Sequence, residues 1–405
     1  MATIFVQIAS YRDPELQNTL DSLFNKAKYP DNLHVCVAHQ HSPEDEWDKV
    51  QQDVKNGRVT ILDIEHTKSL GACWARHEIQ KQYKGEDFTL QLDSHHRFVK
   101  NWDVKLIKMY NKLKKEGHDK PLITSYIPSY DPQNDPKGRV KQPWAMRFDR
   151  FTPEGVVFFM PYTPKDISKP IPARFYSAHF TFASGSHVKE VPHDPTFYFH
   201  GEEISLAVRS FTHGYDLFNP NEVIAWHEYT RVGRTKQWDD DKEWVKRNEF
   251  THARVRQLLG VDGEVCTPCN EKHFGDYGLG KVRSLKDYEK YAGIRFSNRS
   301  ITMSCKNDLP PGSDLDEEYF ESFRHPIKLL QGYFPDNDHE FCAVIAEVNG
   351  QQVFRQDLNK QQIMNVKQFG DQDHWIEYQG PKPTHIIIWP FSNTSQWYNK
   401  QVLNI

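Results

Sequence analysis

The sequence predicts an α/β protein in which a Rossmann-like sheet with crossover helices precedes a small C-terminal β domain. Strand and helix patterns alternate over residues 1–130, as such a sheet requires. Beyond the paired prolines at 310–311, strand and hairpin patterns replace this alternation. We therefore expect a large domain over residues 1–310, a linker over 311–334 and a β-rich accessory domain over 335–405.

Short apolar runs predict the strands of the N-terminal half, and apolar residues at helical spacing predict its helices. Asp13 and Pro14 are expected to be the N-cap and the first residue of the first helix. Ligands of such sheets bind beyond the carboxyl ends of the strands, and Asp93 falls at such an end. The predicted strands are 4–9, 34–38, 59–64, 88–93 and 122–126, and the predicted helices are 14–27, 72–83 and 102–115.

The rest of the chain continues with a less regular pattern. Residues 128–172 are rich in proline, aromatic and charged side chains and are expected to form a loop. The elements predicted after it are a strand at 175–182, a helix at 201–214, a strand at 223–226 and a helix at 238–259. In the C-terminal domain, Asn349 and Gly350 predict a hairpin between strands at 341–348 and 351–354, and a further strand is expected at 385–389.

Composition excludes several classes of function. The net charge of −4, from 51 basic and 55 acidic residues, offers no general attraction to nucleic acid or to anionic membranes. No run of about 18 apolar residues and no basic, then apolar, N-terminal segment occurs, so we expect neither a membrane span nor a secretory signal. Six cysteines in 405 residues favour a reducing compartment, and we expect a cytoplasmic protein. Cys266 and Cys269 form a lone CxxC pair, for which ordinary thiols are favoured over half of a zinc site or a redox pair.

The stretch from Leu90 to Phe98 contains the main candidate for a metal site. Residues two apart in an extended segment project to the same side, so Asp93 and His95 can both face one ion. An oxygen and an imidazole nitrogen suit Mn²⁺ and tolerate Mg²⁺, Co²⁺ or Zn²⁺. His227, at the end of a predicted strand, is the candidate third ligand. The alternatives are a solvated strand end for the first two residues and an ordinary buried histidine for the third.

Four motifs occur in order along the large domain. They are SYRDPE at 10–15, GACWAR at 71–76, QLDSHHRF at 91–98 with Trp102-Asp103, and GEEI at 201–204 with THGYD at 212–216. Together they resemble one known family, the polypeptide N-acetylglucosaminyltransferases, which include cytoplasmic enzymes that modify hydroxyproline. The resemblance spans about residues 3–300 and leaves out the C-terminal β domain. The family is also distantly similar to the mucin-type polypeptide N-acetylgalactosaminyltransferases.

The resemblance implies a GT-A fold that binds a UDP-sugar and a divalent cation and retains the anomeric configuration. It makes Asp93 and His95 metal ligands that face the diphosphate, and it matches His227 to a later histidine of the mucin-type enzymes. On the donor side it places the loop residues 10–12 near the uracil and ribose. The residues expected to bind the donor are Ser10, Tyr11, Arg12, Asp63, Arg76 and Ser94, of which Asp63 is the weaker candidate because strand-end aspartates often cap turns.

Glu202 and Glu203 are the candidate catalytic residues at the start of the helix after Gly201. One is expected to accept hydrogen bonds from the donor sugar while the other braces the helix, and the sequence leaves open which does which. Both could instead serve only as favourable charges at a helix N-terminus. Arg76 has a similar alternative, an arginine on the surface of an amphipathic helix.

Together these features predict a metal-dependent retaining glycosyltransferase that moves N-acetylglucosamine from UDP-GlcNAc to a hydroxyl. The expected cation is Mn²⁺, with Mg²⁺ or Co²⁺ as alternatives, and the expected acceptor is Ser, Thr or hydroxyproline of a protein. The alternatives are an enzyme that builds a glycan or surface polysaccharide from another UDP-hexose or UDP-HexNAc, a non-catalytic glycan-binding relative, and a nucleotide-sugar hydrolase. If the leaving phosphate itself accepts the acceptor's proton, no dedicated general base is needed.

Overall fold

A computed structural model describes residues 2–50, 58–165, 167–231, 233–263, 273–312 and 318–405. Its strands are β1 Ile4–Tyr11, β2 Leu33–His41, β3 Val59–Glu65, β4 Phe88–Asp93, β5 His96–Phe98, β6 Pro121–Thr124, β7 Ala145–Phe151, β8 Val157–Tyr162, β9 Ile171–Pro172, β10 Phe180–Ser184, β11 Asp216–Asn219, β12 Ala225–His227, β13 Ile294–Arg295, β14 Ser300–Thr302, β15 Tyr319–Leu329, β16 His339–Val348, β17 Gln351–Asn359, β18 Gln372–Gln379, β19 His385–Ser392, β20 Gln396–Trp397 and β21 Gln401–Asn404. Its α-helices are α1 Leu16–Lys26, α2 Ala72–Gln80, α3 Trp102–Lys115, α4 His187–Glu190, α5 Glu202–Thr212, α6 Gln237–Asp240, α7 Trp244–Leu259, α8 Leu285–Ala292, α9 Met303–Lys306 and α10 Lys360–Phe369.

An eight-stranded mixed sheet, in the order β3-β2-β1-β4-β10-β6-β11-β9, organises the large domain. The first four strands in this order are parallel, whereas β10 runs antiparallel to both of its neighbours. The carboxyl ends of β1 and β4 therefore lie side by side, with Ala9 paired to Asp93. This arrangement confirms the predicted α/β class and brings the loops after these two strands to one edge of the sheet.

Helices cover both faces of the parallel strands because each helix buries an apolar stripe. On one face, Leu16, Leu20 and Leu23 of α1 pack with Trp102 of α3 against the sheet. The Trp102 indole N–H also donates to the Leu23 carbonyl oxygen at 2.9 Å, which ties the two helices together. On the other face, α2 buries Ile79 against β1 and β2.

Three segments differ from their predicted form. The expected loop at 128–172 contains the hairpin β7–β8, whose strands pair from Ala145–Tyr162 to Phe151–Val157. The strand expected at 175–182 begins only at Phe180. The helix expected at 238–259 is divided into α6 and α7 because the Asp241 carboxylate accepts hydrogen bonds from the Glu243 backbone N–H and two side chains, which favours a non-helical turn.

The predicted linker at 311–334 is partly a strand, so this boundary was wrong. β15 pairs along its length with β18 and at its start with β14, and it buries Phe323 and Ile327 in the C-terminal core. Sequence reasoning missed it because the buried residues of β15 are separated by polar and charged residues. The predicted hairpin is present between β16 and β17, and Asn349 and Gly350 both have the positive φ that its turn requires.

Two further predictions concern cysteines and membrane crossing. Cys266 and Cys269 lie outside the described residues. Within the described ranges, Cys36, Cys73 and Cys342 are buried free thiols, and Cys305 is also buried. A search of the described helices found none with the length and apolar character needed to cross a membrane.

Candidate active site

A cavity of about 450 Å³ opens at the carboxyl ends of β1 and β4. Its walls come from the loops after these strands, from α2 and the start of α5, and from residues 227, 229, 231 and 234–238. Three of the predicted site residues, Ser10, Arg12 and Asp63, do not line it. The eight that do are Tyr11, Arg76, Asp93, Ser94, His95, Glu202, Glu203 and His227.

Asp93, His95 and His227 converge at one point on the cavity wall. Strand β4 ends at Asp93 and the chain bends at Ser94, so His95 reaches the same side through a bend and not through a continuous strand. The short strand β12 pairs with β5 and sets His227 opposite His96. Asp93 Oδ2 is 3.4 Å from His227 Nε2 and 3.8 Å from His95 Nε2, and the three ligand atoms lie within 4.8 Å of one another.

The surroundings of these three residues suit ligation of a divalent cation. Asp13 Oδ2 lies 2.7 Å from His95 Nδ1, which leaves His95 Nε2 directed at Asp93. Burial holds the pKa of His227 well below its usual value, so this imidazole is neutral, as a ligand must be. One carboxylate and two imidazoles form a donor set of the kind that Mn²⁺ and related cations accept.

Asp13 is the functional residue that sequence reasoning missed. Its Oδ1 accepts from the Glu15 backbone N–H at 2.9 Å, close to the predicted capping role, although α1 begins at Leu16. Its Oδ2 accepts from Ser94 Oγ at 2.7 Å. Burial alone would raise the pKa of Asp13, but His95 and Arg234 hold it well below its usual range. The N-cap pattern concealed this role, which its place after a central parallel strand could have indicated.

His96 stands beside the three converging residues and outside their group. Its Nδ1 lies 3.0 Å from the Asp93 carbonyl oxygen, and its ring packs 4.9 Å from that of His227. The ring of His179 also packs against that of His227, with centroids 4.3 Å apart. Burial lowers the pKa of both His96 and His179, so these imidazoles pack as neutral rings.

Arg76 joins the metal-site carboxylate to the helix that carries the two glutamates. Its Nη2 donates to Asp93 Oδ1 at 2.7 Å, and its Nη1 donates to both carboxylate oxygens of Glu202 at 2.9 and 3.0 Å. Arg76 is only 3% exposed, which rules out the alternative of a surface arginine. The Cys73 thiol also donates to Glu202, so this carboxylate is fully engaged in holding α2 against α5.

Glu203 has a different environment from its neighbour. Its carboxylate lines the cavity and accepts from the Tyr126 hydroxyl at 2.7 Å and from the Ala178 backbone N–H at 2.9 Å. Burial raises the pKa of Glu203 to about 7, although both of these donors act in the opposite direction. Both glutamates are presented by Gly201, whose φ of +104° places α5 at a sharp angle to the preceding chain.

The residues near the first strand that are predicted to bind the donor differ in their contacts and in their burial. The Tyr11 hydroxyl donates to Asp240 at 2.7 Å, and Arg12 pairs with Asp45 and Asp240, so this loop is tied to α6. Ser10 is fully buried at the end of β1, with its carbonyl oxygen accepting from Gln40 Nε2 at 3.1 Å.

Asp63 lies away from this group. Strand β3 continues to Glu65, so Asp63 is not at the strand end, and its side chain is 76% exposed and bound by His41. The geometry therefore offers no support for the predicted nucleotide role of Asp63.

A segment after β12 closes one side of the cavity, and the sequence did not single it out. Arg234 Nη1 lies 3.1 Å from Asp13 Oδ2, and Arg234 Nη2 lies 2.7 Å from Glu228 Oε2. Further along the segment, Gln237 Nε2 donates to the Ser69 carbonyl oxygen at 3.2 Å, and Gln237 Oε1 accepts a hydrogen bond from the Tyr198 hydroxyl. Three cationic residues of this segment, Arg231, Arg234 and Lys236, line the cavity.

Comparison with known proteins gives one family match. Residues 3–55 and 44–298 match the family described as Glycosyltransferase (GlcNAc). No curated protein matches the sequence.

Among solved structures, GalNAc-T7 with UDP, GalNAc and Mn²⁺ is 16% identical over 71% of this chain, with a TM-score of 0.47, and the chain spans 54% of its length. TarS 1–349 of S. aureus is 12% identical over 68% of this chain and 80% of its own, with a TM-score of 0.37. The mannosyltransferase PcManGT from Pyrobaculum calidifontis, in complex with GDP-Man and Mn²⁺, is 11% identical over 62% of this chain and 69% of its own, also with a TM-score of 0.37. These similarities are distant.

Proposed function

Because the chain belongs to the Glycosyltransferase (GlcNAc) family, we propose that it moves N-acetylglucosamine from UDP-GlcNAc to a hydroxyl group with retention of configuration. The observation that carries this proposal is the convergence of Asp93, His95 and His227 in a cavity that also holds Arg76 and Glu203. The proposed acceptor is a Ser, Thr or hydroxyproline hydroxyl of a protein.

The three converging residues would hold a divalent cation, with Mn²⁺ preferred and Mg²⁺ or Co²⁺ as alternatives. A cation bound there supplies Lewis-acid neutralisation of the negative charge that develops on the leaving diphosphate. Asp13 would hold His95 in the orientation that ligation needs, through the 2.7 Å contact with Nδ1. Arg231 and Arg234 add positive charge on the cavity wall for the same phosphate groups.

The two glutamates take the separate roles that the sequence left open. Glu202 is held by Arg76 and Cys73 and so braces α2 against α5. Glu203 keeps a carboxylate at the cavity surface, where it would accept hydrogen bonds from hydroxyls of the donor sugar. In a retaining transfer the leaving phosphate oxygen takes the acceptor's proton on the same face of the sugar, and these residues then act by positioning the donor.

Metal-dependent release of UDP tests the proposal directly. Purified protein with UDP-GlcNAc and Mn²⁺ is expected to release UDP. This release should stop when EDTA is added in excess and resume when Mn²⁺ is restored. UDP-GalNAc and UDP-glucose serve as matched donors and are expected to react at least about tenfold more slowly, because a differing sugar hydroxyl leaves a polar group of the site unpaired. UDP release that no hydroxyl acceptor enhances would indicate a hydrolase, and no release at all would refute enzymatic function.

Glu203→Gln is expected to lower kcat about 10- to 100-fold, because an amide accepts weaker hydrogen bonds from sugar hydroxyls than a carboxylate does. In the wild type, activity should rise with pH through about 7, as the carboxyl group of Glu203 ionises. The variant should lose that rise. Rates of UDP release between pH 5.5 and 8.5 measure both effects, and an unchanged pH profile in the variant would contradict the role of Glu203.

A stability measurement on the same variant provides the control. The folded protein raises the pKa of Glu203 from 4.5 to about 7, so between these values it binds more protons than the unfolded chain does. The free energy of unfolding contributed by this group is therefore highest below pH 4.5 and falls as the pH rises through 7. Urea titrations of wild type and Glu203→Gln should show that this decline is smaller in the variant.

A further inference from the structure

One wall of the cavity is aromatic and is separate from the carboxylate networks described above. Phe158, Phe199, His200 and Trp238 all line the cavity. Their rings contact one another in sequence, with centroid distances of 4.8 Å from Phe158 to His200, 4.8 Å from His200 to Phe199, and 5.6 Å from Phe199 to Trp238. Arg231, which is proposed above to face the phosphate groups, lies 5.7 Å from the centroid of the Phe199 ring and 5.5 Å from that of Trp238, so this end of the wall belongs to the donor side. The other end, with Phe158 and His200, is left for the second substrate.

The wall continues out of the cavity onto the C-terminal domain. The Arg150 guanidinium lies 4.7 Å from the centroid of the Phe158 ring and 4.7 Å from that of Trp375. Arg324 covers Trp375 at 4.5 Å. Trp375 belongs to β18 of the C-terminal domain and is 40% exposed. We call the stack of Phe158, Arg150 and Trp375 the outer row.

Two features of the chain hold the outer row in place. The pairing of β7 with β8 shifts register at Asp149, and beyond this bulge Arg150 pairs directly with Phe158. The Asp149 carboxylate is buried between Arg150 and Arg324 and forms ion pairs with both. Because Arg324 lies on β15, which pairs with β18, this carboxylate connects the β7–β8 hairpin to the sheet that carries Trp375.

We propose that the outer row is the acceptor groove and that the C-terminal domain contributes Trp375 to it. This inference rests on the proposed transferase function and names a binding surface for its acceptor. The reacting hydroxyl enters the cavity past Phe158 and His200, while the flanking chain lies along Arg150 and Trp375. Two successive contacts of 4.7 Å separate the Phe158 ring at the cavity from the Trp375 ring, and at about 3.1–3.3 Å per residue this path corresponds to no more than about three residues of an extended chain.

The chemistry of the groove favours an extended polypeptide over a glycan. Sugar hydroxyls bind well to free carboxylate acceptors, and the carboxylate that lies beside these rings, Asp149, is already paired with Arg150 and Arg324. Burial lowers the pKa of His200 to about 4, so this ring adds a neutral face. Aromatic rings and stacked arginines form a row of flat surfaces here, and such rows are typical of sites that bind extended proline-containing peptides.

Peptides of two lengths test the groove. The probes are 13-residue peptides with prolines on both sides of a central Ser, Thr or hydroxyproline. The short counterparts are capped tripeptides with the same choice of central residue. With wild type, kcat/KM for the best 13-residue peptide should exceed that of its tripeptide at least tenfold. Trp375→Ala should lower kcat/KM of the long peptide about tenfold, mainly through KM, and leave the tripeptide unchanged. Trp375→Phe, which keeps an aromatic ring, should retain most of the preference for the 13-residue peptide over the tripeptide.

The controls separate this inference from the proposed function. Trp397→Ala removes another exposed tryptophan of the same domain and should leave both peptides unchanged. UDP release from UDP-GlcNAc and Mn²⁺ without acceptor should be the same in all variants, and its absence in the wild type would refute the transferase itself. With that release intact, the groove is refuted if Trp375→Ala slows both peptides equally, if it slows neither, or if oligosaccharides are glycosylated and peptides are not.

Discussion

Asp93→Ala is expected to abolish Mn²⁺-dependent UDP release, with a loss of about 10³-fold or more. The variant removes the carboxylate that faces His95 and His227 and so deletes one of three candidate ligands. A cation that neutralises a leaving diphosphate contributes several kcal/mol to the transition state, which corresponds to a rate change of this size. Initial rates over a range of Mn²⁺ concentrations measure the loss, and isothermal titration with Mn²⁺ should show that tight binding is gone.

Two matched variants accompany Asp93→Ala. Asp63→Ala removes an exposed aspartate near the carboxyl end of a neighbouring strand and should retain wild-type rates and Mn²⁺ affinity. Asp93→Asn keeps the size of the side chain and its contact with Arg76 but removes the charge, and it should resemble the alanine variant. Wild-type activity in Asp93→Ala would refute the assignment of Asp93 as a ligand, and a loss in Asp63→Ala would restore the predicted nucleotide role of Asp63.

Arg76→Met is expected to destabilise the fold by about 3–5 kcal/mol and to lower activity at least about 100-fold. Methionine fills a similar volume but leaves the buried Glu202 carboxylate without its cation. Breaking a buried ion pair by removing one partner typically lowers the free energy of unfolding by about 3–5 kcal/mol. Asp93 loses its 2.7 Å partner at the same time, so its orientation toward His95 and His227 is no longer fixed. Urea unfolding and rates of UDP release measure the two effects separately.

The double variant Arg76→Met with Glu202→Gln shows whether the unpaired charge causes the instability. The introduced glutamine carries no charge, so this variant should regain more than half of the lost unfolding free energy while its activity stays low. A double variant as unstable as Arg76→Met would mean that packing, and not the charge of Glu202, dominates the effect. Arg76→Lys should fall between wild type and Arg76→Met, because an ammonium group keeps the charge but cannot bridge Glu202 and Asp93 with a fork of N–H groups.

Several site residues were predictable because the position of a residue along a strand determines where its side chain projects. Asp93 ends a buried strand that lies parallel to β1, so the rule that ligands bind at the carboxyl ends of parallel strands placed it at the edge of the cavity. His227 ends the short strand β12, which pairs antiparallel with β5 outside the main sheet, so its position at a strand end indicated it and this rule did not. The same rule applied to Asp63 failed, because β3 continues two residues beyond it. A small error in the predicted strand boundary therefore placed Asp63 at the strand end, whereas its side chain is exposed to solvent in the structure.

Other features could not be predicted because they depend on residues far apart in the chain. Asp13 fits a local capping pattern, and only the packing of the loops shows that its second oxygen binds Ser94 and His95. The aromatic stack of Phe158, Arg150 and Trp375 joins residues more than 200 positions apart, and neither the β-bulge at Asp149 nor the pairing of β15 with β18 has a clear local pattern.

The sequence by itself determined the α/β class, the order of strands and helices in the N-terminal half, the C-terminal hairpin and the candidate ligands. These follow from hydrophobic periodicity and from strand and turn residues, which act over a few neighbouring positions. The tertiary structure decided which glutamate is locked by Arg76 and which faces the cavity, and it joined the C-terminal domain to the cavity wall. Burial and long-range pairing set these features, and no local pattern encodes how distant segments meet.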